Sequence, residues 1–191
     1  MDLGRGAESA KTCDLLSNAT KTEAAQHWSR ADLPSEVQVA LQAALDKLAR
    51  APVVLRVTEL AGYTDWVMIL SGRSERHVQA IAEAVQKEVT AKGRRARGTD
   101  GLSEHMWDLL DFDDFIVHVF YHPVRGHYDL ESMWSDAPRV ELGLPGEVMD
   151  TSDLDKLDTP GDLPAYRGDM TFGGFDDEFD DDDDDEPLAD D

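Results

Sequence analysis

Apolar residues recur along this chain with two different periods, and the change from one to the other marks out the elements. After Pro34, residues Val37, Ala40, Leu41, Ala44, Leu45 and Leu48 stand at helical spacing, and Pro52 ends the pattern, which predicts a helix laying one apolar stripe on a neighbour. Ser35 is placed to cap that helix, with Gln38 three residues on reaching back to it. The residues Val53 to Val57 and Asp65 to Leu70 then read as strands. Ser74 can cap a second helix from Glu75 to about Lys92, in which Val78, Ile81, Ala82, Val85 and Val89 form the buried face and Gly93 the stop. His105 to Leu110 and Phe115 to Tyr121 read as two strands joined by a turn at Asp111 to Asp114, so an antiparallel hairpin is expected. A last helix opens at Pro123, carries Tyr128, Leu130, Met133 and Trp134, is weakened by Gly126 and must end by Pro138. Strand pairs alternating with helices favour one mixed central sheet flanked by helices, an α/β or α+β domain over residues 35–144.

Charge separates that domain from its ends. The 191-residue chain carries a formal charge of -23, and residues 145–191 hold 19 acidic and 2 basic residues, or -17, leaving -6 for residues 1–144. The acidic end, with its run Asp180 to Asp185, has too little apolar area to offset chain entropy, so 145–191 is expected to be a disordered tail. Residues 1–34 show no clear period and are expected to be a disordered extension. Their scattered acids argue against an organelle transit peptide. So large a negative charge disfavours binding to DNA or to anionic membranes. The longest apolar run, Trp66 to Leu70, is far shorter than the roughly 18 residues of a membrane-spanning helix. The single cysteine, Cys13, excludes an intrachain disulfide and fits a reducing, cytoplasmic setting.

Few residues carry chemistry. Gly72-Arg73-Ser74 between a strand and a helix offers backbone N–H groups to an anion, but it lacks the remaining residues of a phosphate loop and reads first as a capped helix start. Asp111-x-Asp113 at a strand end resembles the carboxylate pair that holds magnesium in nucleotidyltransferases, yet the neighbouring strand supplies His118 and no third acid. His118-x-x-x-His122 has ligand-like spacing, but His122 precedes Pro123, where the strand should have ended, and no cysteine assists. No nucleophile motif appears. The expectation is of no metal, no cofactor and no catalysis, with a metal-dependent nucleotidyltransferase and an acidic adaptor for basic proteins as the alternative readings. More telling is the density of aromatics: Trp107, Phe115, Phe120, Tyr121, Tyr128 and Trp134 fall within 28 residues, which points to a protein interface.

Taken in order, the segment Asp65 to Ala82, then Gly101, Trp107-x-x-x-Asp111, Asp114 to Phe120, and Arg125-x-x-Tyr128-x-Leu130-Glu131-x-x-Trp134 resemble the ribosomal silencing factor family, also called Iojap-like, over about residues 36–142. The resemblance implies a nucleotidyltransferase-like fold without the activity and a tendency to form homodimers. It implies a factor that docks on the large ribosomal subunit, at ribosomal protein fourteen, and sterically prevents joining of the small subunit when nutrients run low. On that reading Trp107, Asp111, His118, Tyr128, Leu130 and Trp134 are the expected partner-binding residues or their supports, with Asp111, Asp113 and Asp114 facing basic side chains of the ribosomal protein. The acidic tail would then tune docking, by repelling ribosomal RNA, by binding basic ribosomal tails, or by folding over Arg94, Arg95 and Arg97.

Overall fold

The computed structural model describes residues 27–161. In chain order the elements are β1 (Trp28–Ser29), a 3-10 turn (Arg30–Asp32), α1 (Ser35–Asp46), β2 (Arg50–Arg56), α2 (Thr58–Ala61), β3 (Trp66–Gly72), α3 (Glu75–Ala91), β4 (Gly98–Asp100), β5 (Trp107–Asp111), β6 (Phe115–Tyr121), α4 (His122–Tyr128), α5 (Leu130–Met133), β7 (Val140–Glu141) and α6 (Gly146–Met149). Five strands form one mixed sheet in the order β2-β3-β6-β5-β4. The central pair β3 and β6 is parallel, with Met68 opposite Val117, and the other pairs are antiparallel. This is the mixed α/β sheet flanked by helices that the periodicity predicts.

The apolar stripes explain the layering. Val78, Ile81, Ala82, Val85 and Val89 of α3 and Val37, Ala40, Leu41 and Ala44 of α1 bury against Val54, Met68, Leu70, Leu110, Val117 and Val119. Those sheet residues alternate with Val67, Ile69, His118 and Phe120, which a strand must turn to the opposite face. There α4 and α5 pack, so β3 is covered on both sides and all seven of its residues are buried. Such a strand reads as an unbroken apolar run.

Several expectations are corrected. Ser35 does not cap α1: Pro34 holds the cap position, the Ser35 hydroxyl donates to Glu36, and the Gln38 amide donates instead to the Leu33 carbonyl. The strand expected from His105, β5, begins at Trp107, because His105 has a left-handed backbone with φ of 55°. The last helix is two, broken where Asp129 takes φ of 43°. Strand β4 has no apolar alternation to announce it and forms by pairing, with Gly98 opposite Asp111. Gly101 closes its turn at φ of +77°, where an added Cβ would lie 1.8 Å from the Trp107 carbonyl oxygen, so no other residue fits.

Packing also runs past both ends of the 35–144 span. Trp28 meets Trp66 edge-on at 5.6 Å, the Arg56 guanidinium lies 4.2 Å from the Trp28 ring centre, and Leu33 is buried. Beyond α6, Leu154 is 2% exposed. Charge and low periodicity mark both segments as tail-like, yet a few well-placed apolar residues anchor them, Trp28 and Leu33 before α1 and Leu154 after α6. Cys13 and the run Asp180 to Asp185 lie outside the described residues.

Candidate partner-docking face

The hairpin of β5 and β6 builds the candidate site. Its register sets Trp107 opposite Phe120, Leu109 opposite His118 and Asp111 opposite Ile116, all on the face away from α3. Trp107 stacks on Phe120 with ring centres 4.9 Å apart and leans on Tyr128 of α4 at 4.6 Å. Its indole Nε1 donates to His118 Nδ1 at 3.1 Å. Because indole is only a donor, the His118 ring is neutral with its proton on Nε2. Burial pushes the His118 pKa down to about 4, so the ring stays an acceptor and holds Trp107 in place at neutral pH. Three of the expected residues, Trp107, His118 and Tyr128, thus form one aromatic cluster, half-buried at its Trp107 and Tyr128 rim.

The other three are placed differently. Asp111 ends β5, and its Oδ1 accepts from the Asp113 backbone N–H at 2.8 Å, so it shapes the hairpin turn in which Asp113 has φ of 79°. Asp113 pairs with Arg97 at 2.7 Å and Asp114 with Arg94. These acids meet the chain's own basic patch. Leu130 is buried at 3% exposure and anchors α5 from beneath, while Trp134 is half-buried at its end, beside the exposed Met133. Leu109, half-buried between Trp107 and Asp111 on the same face, was not singled out, although the alternation Trp107-x-Leu109-x-Asp111 is the signal that finds it.

The remaining candidates have local partners. Ser74 caps α3 by accepting from the His77 N–H at 3.3 Å. The Arg73 N–H donates to His77 Nδ1 at 3.1 Å, and the Nε2 of that ring contacts the Lys47 carbonyl at 2.6 Å. His122 contacts Ser71 and Asp155, at 3.1 and 2.8 Å, and does not meet His118. Asp108, fully buried beneath α3, accepts from or pairs with His105 at 2.8 Å, and burial raises its pKa. Among the described residues no three His, Cys, Asp or Glu side chains gather as a metal site would require, and no helix is long and apolar enough to cross a membrane.

A family model described as ribosomal silencing factor during starvation matches residues 30–162. The chain belongs to the ribosomal silencing factor family. A relative named ribosomal silencing factor from Halalkalibacterium halodurans is 38% identical over 106 residues, 56% of this chain and 91% of that one. Another from Bacillus subtilis is 33% identical over 108 residues, covering 56% and 92%. A solved structure from Chromobacterium violaceum superposes with a TM-score of 0.52 at 29% identity, over 52% of this chain and 83% of the other. Relatives of the silencing factor family are thus named as regulators, and the β5–β6 face of this member offers side chains held for contact more than groups poised for a reaction.

Proposed function

We propose that this chain docks through the exposed rim of the β5–β6 face on the large ribosomal subunit, at ribosomal protein fourteen, and that it represses translation by blocking the approach of the small subunit. The observation that supports this reading most is Trp107. A large aromatic is fixed on a sheet face by one hydrogen bond and by ring contacts with His118, Phe120 and Tyr128, so little side-chain entropy is left to lose on binding. Rigid aromatics of this kind supply the centre of many interfaces. Sterics do the rest, since a standard interface covers about 800 Å² per partner and bars anything else from that surface. Met133, 44% exposed, and the half-buried Trp134 offer further apolar surface on α5 and at its end.

Sedimentation of the chain with purified large subunits, followed by addition of small subunits, tests the proposal. The expected result is co-sedimentation and reduced joining, with about ten-fold or greater loss of binding for Trp107→Ala. Thermal melts monitored by circular dichroism establish that the variant is folded. Equal binding by the folded variant would move the interface elsewhere, and no binding by the parent chain would remove the docking reading.

A further inference from the structure

Residues 150–158 lie as a strap across the C-terminal ends of the parallel strands β3 and β6, the position at which open α/β sheets bind their ligands. The polar contacts of the strap match an acidic or carbonyl oxygen to a donor of the body. Arg50 of β2 donates to the Asp150 carbonyl, and also to Asp153 at 3.2 Å. Arg73 stands 4.0 Å from the second oxygen of Asp153. The Tyr121 hydroxyl donates to the Asp158 carbonyl at 3.2 Å. Ser71 Oγ accepts from Arg125 at 2.9 Å and contacts His122 Nδ1 at 3.1 Å. With its hydroxyl proton on Nδ1, the His122 ring carries a proton on Nε2 for Asp155, 2.8 Å away. Between the two acids Leu154 turns inward and is buried.

The two sides of this contact differ in burial. The Arg50 and His122 side chains are 19% and 15% exposed, whereas Asp153 and Asp155 are 52% and 62% exposed. The donors therefore belong to the body and the acids to a layer laid over it. Contacts whose carboxylates stay in solvent contribute little net stability, so one leucine and a few polar contacts hold the strap. The fit also leaves donors unused: Arg50 Nε is buried with no acceptor among the described residues. A cavity of about 470 Å³ lined by His122, Pro123, Arg125, Leu154 and Leu157 adjoins the strap.

We propose that the crevice formed by Arg50, Arg73, Tyr121 and His122 is a recognition site for acidic peptide, filled in cis by the Asp153-Leu154-Asp155 segment as a displaceable occupant. The site reads one apolar residue flanked by two carboxylates. A segment of the same pattern from another chain takes it when the strap lifts, and the cis occupant sets the threshold by its high effective concentration. This site is separate from the β5–β6 docking rim and stands whether or not that rim meets the ribosome.

The test uses the full chain and a labelled peptide of residues 148–160, followed by fluorescence anisotropy. Asp153→Asn/Asp155→Asn removes the strap's charges at exposed positions and should bind the peptide about ten-fold more tightly than the parent chain, because the cis competitor is weakened. Added salt should weaken that binding, and a peptide carrying Asn at both positions should not bind. Equal affinity of the two chains, or equal affinity of the two peptides, overturns the proposal. Hydrogen exchange of Arg50→Gln provides an independent reading. Amides 150–158 should exchange about ten-fold faster than in the parent, while α3 is unchanged; unaltered exchange over 150–158 overturns the proposal as well.

Discussion

The two faces of the sheet are built on different principles. Beneath α1 and α3 the contacts are mostly apolar, although Leu48, expected on the α1 stripe, lies past the end of that helix with φ of 62° and is 69% exposed. On the opposite face the cover is short, broken at Asp129 and tied down by polar contacts: Arg125 donates to Glu131 at 2.6 and 2.8 Å, to the Ala51 carbonyl at 2.8 Å and to Ser71 at 2.9 Å. One face is closed by area and the other by directional bonds. Area tolerates approximate fit, whereas directional bonds fix particular side chains and leave β5 half-covered.

This contrast can be broken most strongly at Arg125. Arg125→Met strands the Glu131 carboxylate and should cost about 4 kcal/mol, read as a lower midpoint in urea unfolding. On the apolar face, Ile81→Ala should cost about 3 kcal/mol by leaving a cavity, yet its folded fraction should sediment with large subunits as the parent does. A large docking defect in folded Ile81→Ala would mean that the two faces are not separable.

Acid sharpens the comparison further. Unfolded His118 takes up a proton near pH 6.5 and the buried ring only near about 4, so the unfolded state binds more protons in between. The stability that His118 contributes is complete above about pH 6.5 and is lost as the pH falls toward 4. Relative to His118→Gln, the parent chain should lose about 2 kcal/mol between pH 8 and pH 5. Asp108, whose pKa burial raises, acts in the opposite sense, but it is common to both proteins and cancels in the difference. The smallest effect is expected at Trp107→Phe, which keeps the stack and removes one neutral hydrogen bond, at about 1 kcal/mol, measured by the same unfolding experiment.

The apolar face was largely legible in the sequence because a complete helical stripe and unbroken strands leave little choice: α3 spans Glu75–Ala91 against an expectation of Glu75 to about Lys92. The polar-tied face was less so. The Asp129 break depends on a left-handed residue that is not glycine, and β4 exists through its pairing with β5. At the site, aromatic density drew attention to Trp107, which the structure sets on β5, but periodicity does not tell Leu130, which is buried, from Trp134, which is half-buried. The ion pairs of Asp113 and Asp114 arise from a sheet edge that brings Arg94 and Arg97 to the turn, a proximity that local sequence does not carry.

The parallel pairing at the centre of the sheet has a consequence for how the molecule comes into being. Strand β3 cannot be covered until β6 lies beside it, Met68 against Val117, with α3, β4 and β5 intervening in the chain. Contacts so distant in sequence form late and slowly, and a fragment ending at residue 114 should show no cooperative melt. The rim bearing Trp107 takes its floor, Phe120, and its brace, Tyr128, from the strand and helix that complete the sheet. On the proposed docking reading, a nascent chain is therefore inert through most of its synthesis and acquires its grip only when β6 and α4 have both been laid in.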